Sequence, residues 1–299
     1  MKGQWLPGQL ARQKDAPCAL CGATTGLELS HLIPRFVFRH ASVRSPTGYL
    51  RTTLNPNVRQ QDGPKEYLLC RECEARFSKW ESKFALRFHA HHDQPGKSFD
   101  YSSEEALCAL SILWRVLAHG RLHPEMNHLT FGSDYSRTDQ AFHAWQEVLL
   151  GESQNPGQFR AFWMFFDYIQ PGHGLGAGAN RFIFHASDFD IIANSSSSFA
   201  YAHIPSIFFI GALEGIDRSR FRGYDVSFKG GRYLAQENKI APSFLFELIK
   251  KKMSLRSNAI ESISPKQQAK IREATLADPE LTLRSPLFRT FLHDQAVGE

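Results

Sequence analysis

Four of the five cysteines in this 299-residue chain fall into two pairs, Cys18-Ala19-Leu20-Cys21 and Cys70-Arg71-Glu72-Cys73, and only Cys108 stands alone. The first residues, Met1 to Lys14, hold no apolar stretch of signal-peptide length, so such pairs read as metal ligands before disulfides. Two Cys-x-x-Cys knuckles supply four thiolates in the tetrahedral arrangement that Zn²⁺ prefers. A shell filled by four thiolates leaves no open position. The expected role is therefore structural, clamping together two segments that are remote in sequence.

Between the pairs lies Leu27-Glu28-Leu29-Ser30-His31-Leu32-Ile33-Pro34, and Glu66-Tyr67-Leu68-Leu69 leads directly into Cys70. On these residues, the stretch from about 15 to 90 resembles the HNH endonucleases, the zinc-ribbon branch of the ββα-metal (His-Me finger) nucleases. The family's order is a Cys-x-x-Cys, a strand ending in an acid-His-Ile-x-Pro, and a Leu-Leu-Cys-x-x-Cys that opens a helix; Ser30-His31-Leu32-Ile33-Pro34 and Leu68-Leu69-Cys70-Arg71-Glu72-Cys73 stand at those places. The resemblance implies a metal-dependent endonuclease that hydrolyses phosphodiester bonds, with DNA preferred over RNA, of the kind found in restriction, phage-defence or mobile-element systems. His31 would be the general base on the attacking water, a task suited to an imidazole that is neutral near pH 7. A divalent cation, Mg²⁺ or Mn²⁺, would neutralise charge at the phosphate.

The chain departs from that family at two points. Ser30 stands where an acid precedes the histidine, and Phe77 and Ser78 stand where the helix supplies a last metal-site residue. Strand alternation would place Glu28 on the same face as Ser30, and Asn55 or Asn57 in the intervening turn could stand for the family's middle asparagine. Glu28 and Asn57 are thus the candidate catalytic-metal ligands. The alternative is a catalytically degenerate HNH-like zinc module that binds nucleic acid or a partner protein.

Charge is segregated along the chain. Residues 1–100 hold 15 basic and 9 acidic residues, residues 101–200 hold 5 and 10, and residues 201–299 hold 15 and 11. Local positive fields of this kind attract phosphates. Arg35 and Arg71 in the first region are candidate nucleic-acid contacts, as are Arg218, Arg220 and Arg222, which interleave with Phe221, Tyr224 and Tyr233 in the manner of phosphate-gripping cations beside base-stacking rings.

The elements that must position these residues follow from periodicity. Phe77, Trp80, Phe84, Phe88 and His91 recur every three or four residues, so a helix is expected over 71–91, beginning on the second cysteine pair. Residues 102–119, 139–150, 243–252 and 265–277 also read as helices, the first of them buried. Runs at 162–169, 181–185, 189–192 and 206–210 read as strands of one sheet. The expected class is α+β: a zinc-ribbon HNH-like module over 1–100, then a larger mixed region over 101–299 for substrate selection, sensing, self-association or a protein partner. The longest apolar run, Ile204–Leu213, contains Pro205 and is about half of what a bilayer span requires. No membrane association and a cytoplasmic location are the expectations.

Overall fold

The structure, a computed structural model, describes residues 12–45, 47–123, 135–171, 174–194, 196–235 and 242–297. The chain runs β1 (Leu27–His31), α1 (Arg35–Arg44), β2 (Lys65–Cys70), α2 (Arg71–Asp93), β3 (Phe99–Tyr101), α3 (Ser103–Leu122), α4 (Tyr135–Leu150), β4 (Ala161–Phe165), α5 (Ala179–His185), β5 (Asp188–Ala193), β6 (Ser198–Ile204), β7 (Ile207–Glu214), β8 (Gly231–Tyr233), α6 (Ser243–Glu261), α7 (Pro265–Ala277), α8 (Pro279–Arg284) and α9 (Pro286–Val297). Helices and strands are interspersed along the chain, yet every strand pairing is antiparallel, which is an α+β arrangement. Among the described residues, no helix is long and apolar enough to cross a membrane.

The helix α3 is the central post. Ser102 caps it through a reciprocal pair: its Oγ accepts from the Glu105 amide while the Glu105 carboxylate accepts from the Ser102 amide. Its residues from Cys108 to Gly120 are all buried, because α2, α4 and the four-stranded sheet pack on different sides of it. The apolar side of α2 is the one expected from its spacing, with Phe77, Trp80, Phe84, Phe88 and His91 all buried. Burying one such ring contributes about 1.5–3 kcal/mol, so this row fixes α2, and with it the cysteine pair at its start. The buried apolar side chains form one cluster that runs from Cys18 to Ile249.

The sheet has strand order β4-β7-β6-β5, antiparallel throughout. One expectation fails on a short apolar run. Residues 181–185 form the helix α5, not a strand, because Phe182, Ile183 and Phe184 are all buried and such a run carries no period of its own. Its first turn is completed from a distance: the carboxylate of Asp294, on α9, accepts from the amides of Asn180 and Arg181 at 2.8 and 3.2 Å. The helices α1, α8 and α9 and the strand β6 were not expected. The β6–β7 turn passes through Ser206 at φ +64°, whose amide donates to Ile183 O.

Candidate catalytic and metal site

The strands β1 and β2 form an antiparallel pair with Leu27 opposite Cys70 at one end and His31 opposite Lys65 at the other. The two ends lie about 13 Å apart, four residue steps along a strand.

At the first end, the chain turns tightly through the knuckle Cys18–Cys21. Gly22, at φ +76°, lets its own amide reach Cys18 O at 2.9 Å, and the Cys18 amide donates to Ala23 O at 2.8 Å. Cys70 ends β2 and begins α2, so Cys73 follows within the first turn of the helix. The positive end of that helix favours thiolates. The four Sγ atoms lie within 4.8 Å of one another, and those of Cys21 and Cys70 are 3.7 Å apart. A tetrahedron of sulfurs at 2.3 Å from zinc has edges of about 3.8 Å. The Cys70 amide donates to Cys18 Sγ at 3.3 Å. Burial and the neighbouring sulfurs push the Cys73 thiol far up, since four thiolates cannot share this space without a cation. The cluster fits a metal ion such as zinc, as the spacing of the pairs predicts.

At the second end, His31 Nε2 lies 2.8 Å from Asp62 Oδ1, and Lys65 Nζ lies 2.7 Å from Asp62 Oδ2. Burial opposes the charged carboxylate, yet hydrogen bonds from Lys65 and His31 hold Asp62 at about 2. Asp62 is therefore an acceptor only, and the His31 proton sits on Nε2. Burial pulls His31 below 6.5, with Asp62 pushing back only in part, so the ring is neutral at pH 7 and its basic lone pair is on Nδ1. Among the described residues nothing hydrogen-bonds Nδ1, and the side chain keeps 16% of its exposure. The backbone is anchored from behind. Arg115 of α3 donates to His31 O at 3.1 Å, while its other arm pairs with Glu81 and its guanidinium lies over the Phe77 ring.

The strand alternation that would unite Glu28 with Ser30 is interrupted by a bulge between Glu28 and Leu29, where Leu68 is the extra residue on β2. Glu28 is exposed, whereas Ser30 is buried and donates to Glu74 Oε2 at 2.7 Å. The carboxylate beside Ser30 thus comes from the first turn of α2, one residue after Cys73. Asn57 is engaged elsewhere: its amide donates to Ser262 O at 3.3 Å and accepts from the Ser264 amide at 2.7 Å, tying its loop to the start of α7.

Arg35, Arg71, Arg218, Arg220 and Arg222 are all exposed. Arg218 donates to Gln158 O at 2.8 Å and Arg220 pairs with Asp217 at 3.3 Å. The aromatic residues between them are not free to stack on bases. Phe221 lies under Phe162 with centroids 4.3 Å apart, and Tyr224 and Tyr233 are buried.

The sequence reading missed Asp62, Lys65 and Glu74. Asp62 sits in an Asp-Gly dipeptide, which signals a turn, and only the fold brings that turn to His31. Beside Asp62 opens a cavity of about 560 Å³ whose walls also include Arg44, Arg51, His119, Lys252 and Arg256. Comparison of the chain with protein-family models, with curated proteins and with solved structures gives no match.

Proposed function

We propose that this protein is a metal-dependent, HNH-type endonuclease acting on nucleic acid, DNA in the first instance. The observation that carries the reading is His31: a neutral imidazole at a strand end, oriented through Nε2 by an ionised Asp62, with Nδ1 unpartnered among the described residues. The antiparallel pair β1–β2, with α2 following β2 at once and the cysteine cluster at the far end, supports this reading.

In this reading water attacks the phosphorus and passes its proton to His31 Nδ1. The phosphorus–oxygen bond to the leaving strand breaks, and the leaving oxygen takes a proton from solvent. Asp62 fixes the ring and stabilises the imidazolium that forms, and Lys65 fixes Asp62, the logic by which a carboxylate orients a catalytic histidine. Glu74, next to Ser30, would hold Mg²⁺ or Mn²⁺ in place of the family's strand acid. That cation would supply charge neutralisation at the phosphate oxygens. The exposed Arg35 and Arg71 flank the hairpin and would grip phosphates. Zinc in the cysteine cluster would be structural.

One observation favours the non-catalytic reading. Glu28 is exposed and Asn57 is committed to α7, which leaves Glu74 as the carboxylate to serve the cation. Incubating the purified chain with plasmid DNA and with single-stranded RNA, with and without Mg²⁺ or Mn²⁺, decides between them. Divalent-dependent nicking is expected. Salt-dependent binding of either nucleic acid without cleavage under any divalent cation would replace the nuclease by a binding module.

A further inference from the structure

A second convergence of ligand-type side chains lies apart from both ends of the hairpin. Glu66 is on β2, opposite Ser30. His119 is in the last turn of α3, and His123 caps that helix. Residues four apart share one side of a helix, so both rings turn toward the strand. All three residues are buried, at 1%, 4% and 7% exposure respectively. Their ligand atoms lie within 4.8 Å of one another.

Glu66 is held in orientation. Its Oε1 accepts from the amides of Tyr67 and Arg12 at 3.1 and 3.3 Å. Its Oε2 is directed at His123 Nε2, 3.1 Å away. His119 is the anomaly. Both of its ring nitrogens are buried and neither has a hydrogen-bond partner among the described residues. A buried polar group left unmatched costs roughly 1–3 kcal/mol, and a neutral imidazole always presents one lone pair and one N–H. A cation between His119, His123 and Glu66 uses that lone pair. The carbonyl end of α3 adds negative potential at the same place.

We propose that Glu66, His119 and His123 bind a second zinc ion. Two imidazoles and one carboxylate are donors that Zn²⁺ accepts, and a three-residue set leaves its fourth position for water or another ligand. His119 also lines the 560 Å³ cavity, which gives the ion a way in and room for that fourth ligand. The ion would join β2, four residues before Cys70, to the central helix α3, pinning the hairpin to the body of the protein. None of the three residues is used by His31, so this site stands or falls independently of the nuclease reading.

The test is metal stoichiometry on the full chain. After metal removal and reconstitution, elemental analysis should find about two zinc ions per chain, falling to about one in His119→Ala and in Glu66→Gln. Cobalt titration of the wild type needs no variant. The first equivalent should saturate the sulfur-to-cobalt charge-transfer band, and a second should add weaker absorption without sulfur character. One zinc per chain in the wild type, with no second cobalt equivalent, would overturn the proposal and leave Glu66–His123 as a plain ion pair. So would two zinc ions per chain that persist in both variants.

Discussion

The two ends of one short hairpin do opposite things. At the Leu27–Cys70 end, four sulfurs close on each other, three of them buried, with no position left open. At the His31–Lys65 end, one imidazole is held from one side by Asp62 and from behind by Arg115, and among the described residues its other nitrogen has no partner. The closed end has donors chosen for stability, and the open end has a group oriented but not satisfied. In the proposed reading, a strand pair about 13 Å long would carry the rigidity of the clamped end to the imidazole at the other.

The largest way to break this contrast is to open the closed end. Cys70→Ser should abolish metal binding at the cysteine cluster and unfold the hairpin and the start of α2, because apparent structural zinc binding is worth on the order of 10 kcal/mol of folding free energy. Zinc content and thermal melting check this; a variant that melts like the wild type would show that the cluster clamps nothing.

Acid tests the body against which the hairpin packs. Burial pulls His40 down to about 2, His185 to about 3, and His91, His92 and His203 to about 4. Their folded values lie below the unfolded value near 6.5, so the unfolded chain takes up protons that the folded chain refuses. Stability should therefore be flat above about pH 7 and fall steadily from pH 6.5 toward pH 4. Denaturant melts across that range measure it, and equal stability at pH 7 and pH 5 would mean that these rings are not buried as described.

The open end is sharpened by Asp62→Asn. Loss of the orienting charge should lower the cleavage rate roughly tenfold to a hundredfold, the scale for partners that orient a reacting side chain. It should also move the acid limb of kcat/KM to lower pH, because Asp62 raises the His31 value and its removal lets burial pull the ring further down. A limb that moves upward would contradict the assignment of the His31 partner.

The smallest effect belongs midway along the strand. Ser30→Ala removes the donor to Glu74 and should cost about 1 kcal/mol of stability, while zinc content stays unchanged. A much larger loss would mean that Ser30 holds more than one carboxylate in place.

What the sequence disclosed follows this same division. Cys18, Cys21, Cys70 and Cys73 were legible because each knuckle is written in four consecutive residues, and the helix after Cys73 because its rings repeat with the helical period. His31 was singled out through its neighbours Ile33 and Pro34, and the fold sets it beside Asp62. Asp62 was not, because nothing in a loop Asp-Gly says which histidine it will meet. Glu74 was missed because the bulge at Glu28 and Leu29 overrides the alternation that pointed to Glu28. Glu66, His119 and His123 lie on a strand and a helix more than fifty residues apart, and no local pattern links them. Residues 181–185 misled because a run buried on every side is compatible with either helix or strand.

The most direct measurement is the rate of plasmid cleavage by wild type and by His31→Ala, at saturating Mg²⁺ or Mn²⁺, on samples matched for zinc content and melting temperature. Wild type should cleave, and His31→Ala should be slower by about 10²- to 10⁴-fold, the contribution of a positioned general base, with its affinity for DNA nearly unchanged. Equal rates in the two proteins, or no cleavage by wild type with any divalent cation, would contradict the assignment of His31 as the base of a nuclease.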